Sequence, residues 1–147
     1  MKYKVSKIDA AVNQLDWSIK LFLEHKQYVP SITLAGAAEE VLGENLSDSD
    51  KESAYISLKT ILSEKTSLAP KIVSRELLNK TKNWLKHWNN KEDDEKVDIE
   101  LETEAINYII RAATNLVKYD NSVSSEFPLF WEWLINNRPE LLKSSNK

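Results

Sequence analysis

Apolar residues recur along most of the chain at intervals of three and four, the repeat of a helix buried on one face. Ile8, Val12, Leu15, Ile19 and Phe22 follow at spacings of 4, 3, 4 and 3. With Ser6 placed to cap and Asp9 in the first turn, they predict a helix from about Lys7 to Lys26. Pro30-Ser31 announces a second helix carrying Leu34, Ala35, Ala37, Ala38, Val41 and Leu42, with Gly43 near its end; its small residues let another helix come close. A third follows Asp48-Ser49-Asp50, with Ala54, Tyr55, Leu58, Ile61 and Leu62 at helical spacing. A fourth begins near Pro70 and sets Val73, Leu77, Trp84 and Trp88 in one stripe, beside Leu78 and Leu85. Asn89-Asn90 is its expected end, because asparagine tolerates the left-handed closing conformation.

Thr103 is the expected N-cap of a helix bearing Ile106, Ile109, Ile110, Ala113, Leu116 and Val117, the cleanest amphipathic pattern and the expected centre of the core. Ser124 or Ser125 opens a short aromatic helix, Phe127 to Ile135, expected to stop at Asn136-Asn137 ahead of Pro139. Period-two alternation occurs only at Val97-Asp98-Ile99-Glu100-Leu101, one candidate extended piece and too little for a sheet. No fixed-period repeat and no Gly/Ser-rich or Pro-rich linker divides the chain. The pattern predicts an all-α, single-domain bundle of five or six helices over 1–147, with an acidic loop at 90–102 and a frayed tail at 143–147.

Composition narrows the chemistry. A chain of 147 residues hides roughly 70% of its unfolded surface in one core, so no metal or cofactor is needed for folding and none is expected. The absence of cysteine removes disulfides, thiolate metal sites and cysteine nucleophiles, and fits a reducing, cytoplasmic setting. Two glycines are too few for the phosphate-cradling loops of nucleotide enzymes. No apolar stretch approaches the roughly 20 residues of a membrane span, and none resembles a secretory leader; a soluble protein is expected.

The net charge of −3 conceals an asymmetry. Lys91 to Glu104 holds eight acids and two lysines, leaving 18 of the 20 basic and 15 of the 23 acidic residues elsewhere, a remainder of +3. The fourth helix is the most basic: Lys71, Arg75, Lys80, Lys82 and Lys86 stand against Glu76 alone, with tryptophans interleaved. Such a face is a candidate RNA contact, and equally what a solvated helix carries.

On that helix Lys82-Asn83-Trp84-Leu85-Lys86-His87 sets Asn83 and His87 four apart, on one face at the edge of the buried stripe. These residues resemble the motif of the HEPN superfamily, small helical bundles marked by an arginine, often followed by asparagine, then a histidine after four to six positions. Lys82, Asn83 and His87 match the spacing, with lysine in place of arginine. The helix Ser31 to Leu42, rich in alanine with Glu39-Glu40 before Leu42, resembles a second hallmark, and the order of elements agrees from Ser6 to Lys118. The resemblance implies a metal-independent ribonuclease of a defence or toxin-antitoxin system, with a composite site at a dimer interface. There His87 would be the general acid/base, Asn83 would position phosphate and Lys82 would supply charge. Lysine holds phosphate only as a point charge, whereas guanidinium does so bidentately. A non-catalytic HEPN-like binding module is therefore the leading expectation, with the ribonuclease and a structural subunit of a larger assembly as alternatives.

Two further groups complete the candidates. Trp131 and Trp133, two positions apart, cannot face the same side of a helix; one left exposed beside Phe127 or Phe130 is a candidate anchor for a protein partner or a second copy in a homodimer, and a lid helix capping the bundle end, with the second tryptophan half-buried, is the equal alternative. Metal chemistry has little basis, since neither His25 nor His87 follows a glutamate at the spacing of di-iron bundles, and no metal ligand is expected.

Overall fold

The computed structural model describes residues 1–87 and 96–142. The described residues form seven α-helices, a π-helical stretch and a closing 3₁₀ turn, and contain no strand. The all-α architecture agrees with the sequence pattern. No described helix is long and apolar enough to cross a membrane.

The core is a three-helix stack. α1 (Lys7–His25), α2 (Tyr28–Asp48) and α6 (Leu101–Asp120) bury Leu15, Ile19, Ile32, Leu42, Ile106 and Ile109 completely, each contributing about 1.5–3 kcal/mol of burial. α2 packs along both neighbours, and Ala35, Gly36 and Ala38 on it are buried because their small side chains allow close approach. Ser6 caps α1 by accepting from Asp9 N at 2.9 Å, and Lys26 ends it in the left-handed region at φ 51°. α2 starts two residues ahead of Pro30, which falls in the first turn, where a missing N–H costs nothing. Gly43 lies well inside the helix.

α3 (Ala54–Thr66), α4 (Pro70–Ile72), the π stretch Val73–Leu78 and α5 (Lys80–Lys86) fold back over one side of α2 and α6. The expected continuous fourth helix is thus broken. Asn79 N bonds Ser74 O at 3.0 Å, five residues back, which fits an extra residue into the turn. Val73 and Leu78 consequently both point inward while Leu77 is 46% exposed. The same shift leaves Trp84 38% exposed rather than on a buried stripe. Trp88, Asn89, Asn90, most of the acidic loop and the tail at 143–147 lie outside the described residues.

Residues 96–100 form no strand. With no partner strand among the described residues the alternation has no ladder to join, although Val97 and Ile99 are half-buried and Asp98 and Glu100 exposed. α6 begins at Leu101, so the expected loop 90–102 ends earlier. Thr103 is not the N-cap; it lies in the first turn, where its hydroxyl donates to Glu100 at 3.3 Å. Ile110 is only half-buried and Val117 is 40% exposed, so the buried stripe of α6 is narrower than expected.

α7 (Phe127–Asn137) packs on α1. Asp16 receives Glu126 N and the Ser125 hydroxyl, both at 3.1 Å, and so anchors the start of the helix. At its end Arg138 pairs with Glu102 at 2.7 Å, and Tyr28 donates to the same carboxylate at 2.9 Å.

Candidate functional site

Lys82 is buried, not solvated. Its side chain is 5% exposed, with Nζ 2.5 Å from Glu40 and 3.7 Å from Glu39. The lysine therefore leaves the set Lys71, Arg75, Lys80, Lys82 and Lys86 expected to face RNA. Lys86 pairs with Glu40 at 3.6 Å and Arg75 with Glu76 at 2.5 Å, which leaves Lys71 and Lys80 without an ion pair among the described residues.

Asn83 and His87 are exposed. α5 stops at Lys86 and His87 follows with extended backbone, φ −129° and ψ 132°, its N–H held by Asn83 O at 3.0 Å. Of the three motif residues, Lys82 is thus buried while Asn83 and His87 are exposed.

What Lys82 joins is a polar network through the centre of the fold. Glu39, 3% exposed, accepts from Arg111 Nη2 at 2.8 Å and Nε at 3.2 Å, both on Oε1. Arg111 also donates to Leu78 O at 2.9 Å, an acceptor shared with the Tyr108 hydroxyl at 2.9 Å. The break at Asn79 presents that carbonyl to α6. Asn115, fully buried, donates to Glu39 O at 3.1 Å and accepts from Ala54 N at 2.8 Å, joining α2, α3 and α6. Burial pushes the Tyr108 phenol up to about 12. Burial acts to raise the Glu40 carboxyl, yet the Lys82 hydrogen bond and the charges of Lys82 and Lys86 hold it below the usual carboxylate range.

Both glycines of the chain serve this network. Gly36 and Gly43 lie three residues before and four after Glu39 on one face of α2. A Cβ on Gly43 would stand 3.2 Å from Asn115 Nδ2, and the stem of Lys82 crosses Gly36. The sequence pattern marks Gly43 only as lying near a helix end and does not point to Gly36, Arg111 or Asn115. The available signal was a pair of polar residues four apart bordering the strongest apolar stripe, opposite two glycines flanking a glutamate.

Beside the network is a cleft of about 350 Å³ between α2, α3 and α5, lined among others by Glu39, Glu40, Glu44, Tyr55, Lys59 and Lys82. Tyr55 is half-buried, and its hydroxyl bonds Ser74 of the π stretch. Among the described residues no group of three His, Asp or Glu side chains is placed to hold a metal.

The aromatic set on α7 divides. Phe130 is fully buried and belongs to the core rather than to a partner surface, while Trp133 is half-buried and packs edge-on against Phe22 at 4.7 Å between ring centres. Phe127 is partly buried against the same cluster. Trp131 is 40% exposed, stacked at 6.1 Å on Phe127, and shares the outer side of α7 with Ile135.

Comparison of the chain with protein-family models, curated proteins and solved structures returns no match.

Proposed function

We propose that the protein is a non-catalytic, HEPN-like binding or interaction module. The observation that carries this reading is the placement of Lys82. A ribonuclease of the HEPN type needs its motif cation at the scissile phosphate, beside the histidine. Here the Lys82 ammonium is enclosed and neutralised by Glu39 and Glu40, while Asn83 and His87 stand outside in solvent. A buried ion pair of this kind holds α5 on α2. The cleft next to it is the binding element, and Trp131 with Ile135 is the element for self-association.

Incubation of the pure protein with single-stranded and structured RNA tests the reading. No cleavage is expected, with or without divalent metal. Cleavage that disappears in His87→Ala would overturn the module in favour of the ribonuclease.

A further inference from the structure

We propose that the cleft between α2, α3 and α5 binds an aliphatic ammonium group of the kind carried by short diamines and polyamines; this names the ligand of the binding module above and rests on that reading. The volume, about 350 Å³, lies within the range of small-ligand sites, roughly 300–1,000 Å³. Two carboxylate acceptors on its lining are unsatisfied. Arg111 takes Glu39 Oε1 towards α6, which leaves Oε2 on the side of Lys82, itself part of the lining. Oε2 is buried and receives no hydrogen bond, the Lys82 ammonium at 3.7 Å being beyond hydrogen-bond reach. Glu44, one turn beyond Glu40 and exposed, makes no hydrogen bond or ion pair among the described residues.

The facing wall is the Tyr55 ring, whose electron-rich face attracts cations. Lys59 Nζ already lies over it, 5.2 Å from the centroid, and Arg111 Cζ lies at 5.8 Å. Lys59 thus acts as a tethered ammonium at the mouth. A free ammonium displaces it by adding a contact to the exposed Glu44 that Lys59 does not make, with Glu39 Oε2 the buried acceptor behind it. An anion has less to gain: the Lys82 ammonium is already paired with Glu40 and Glu39, and the Lys59 ammonium lies over the Tyr55 ring.

Spermidine and putrescine titrated into the isotopically labelled full chain at low ionic strength test this by amide chemical shifts. Saturable shifts confined to residues near Gly43, Ser53, Ile56 and Asn79 are expected. Tyr55→Phe, which keeps the ring, should bind as the parent does, whereas Tyr55→Leu and the exposed Glu44→Gln should each weaken binding about three-fold or more. Lys59→Ala should tighten it by a similar factor, and Lys65→Ala on the same helix should not. Absence of saturable shifts, shifts spread over the acidic surface, or equal effects of Lys59→Ala and Lys65→Ala would overturn the assignment. Inorganic phosphate in place of the amines is expected to leave the cleft unshifted. Cleft shifts with phosphate alone, in a protein that does not cleave RNA, would remove the ammonium assignment and leave the binding module standing; RNA cleavage dependent on His87 would remove the module itself.

Discussion

The stem of Lys82 lies directly on Gly36: a Cβ placed there would stand 2.8 Å from Lys82 Cδ and 3.4 Å from Cγ. Because the ammonium beyond that stem is held at both Glu39 and Glu40, the chain cannot simply swing aside. Ordinarily alanine in place of a mid-helix glycine stabilises by up to about 1 kcal/mol. Here Gly36→Ala is expected to destabilise by about 1 kcal/mol, the cost of overpacking exceeding the helical gain. In a Lys82→Ala background the same change should become stabilising, a sign reversal read by urea denaturation. Stabilisation of the parent by Gly36→Ala would mean that Lys82 does not cross the glycine.

Glu39 faces two buried cations, so its loss should be the most damaging in the network. Glu39→Ala is expected to cost about 3–5 kcal/mol, because Arg111 and Lys82 are left without their counter-charge. Lys82→Met keeps the stem and leaves Glu39 paired with Arg111, and should cost less than half as much. Equal costs would show that the pair with Arg111 does not compensate Glu39. Chemical denaturation of the two variants decides.

Glu40 makes acid stability depend on the Lys82 contact. Its folded carboxyl lies below its ordinary value, so its contribution is complete above the unfolded carboxyl value, about pH 4.3, and is lost as pH falls through the folded one. Glu40→Gln should flatten the acid limb of the stability curve below about pH 5. Half of the Glu40 side chain is exposed, so the effect is small. An unchanged acid limb would show that the contact does not persist in solution.

Tyr108 governs the opposite limb. A phenol raised to about 12 by burial contributes stability that is fully present below the unfolded value near pH 10 and is lost as pH rises towards the folded one. Tyr108→Phe should reduce stability by about 1 kcal/mol at neutral pH, through loss of the bond to Leu78 O. It should also remove much of the decline between pH 10 and 12, measured by denaturation in alkaline buffers together with tyrosinate absorbance.

The aromatic helix offers a paired test. Phe130→Ala, in the core, is expected to cost about 3–5 kcal/mol, while Trp131→Ala should lose only the stacking on Phe127, about 1 kcal/mol. If Trp131 and Ile135 form the self-association surface, sedimentation should show a concentration-dependent dimer that Trp131→Glu abolishes. A monomer at every concentration would sink that part of the proposal.

The segments with a clean 3.6-residue period are legible from sequence: Ile8 to Phe22 and Ile106 to Leu116 are helices that bury most of the predicted stripe, Ile110 being the half-buried exception on α6, and Ser6 caps α1. Small boundary errors arose where a neighbour mattered. Thr103 has the chemistry of a cap, yet α6 begins earlier, at Leu101. The region from Pro70 departs further from its apolar pattern, because a π stretch has no signature in apolar spacing. One inserted residue moved Leu77 and Trp84 outward and turned Lys82 inward.

The alternation of apolar and polar residues determined the helical class and the core faces of α1 and α6, because burying one face per helix is the dominant gain available to such a pattern. Charge placement was different. A lysine reads as solvated in any one-dimensional pattern, and only the tertiary structure brought Lys82 against Glu39 and Glu40, 43 and 42 positions away in the chain. Ion pairing depends on distances across the fold, to which local periodicity is blind; that is why Lys82, the residue most suggestive of chemistry, proved to be part of the interior.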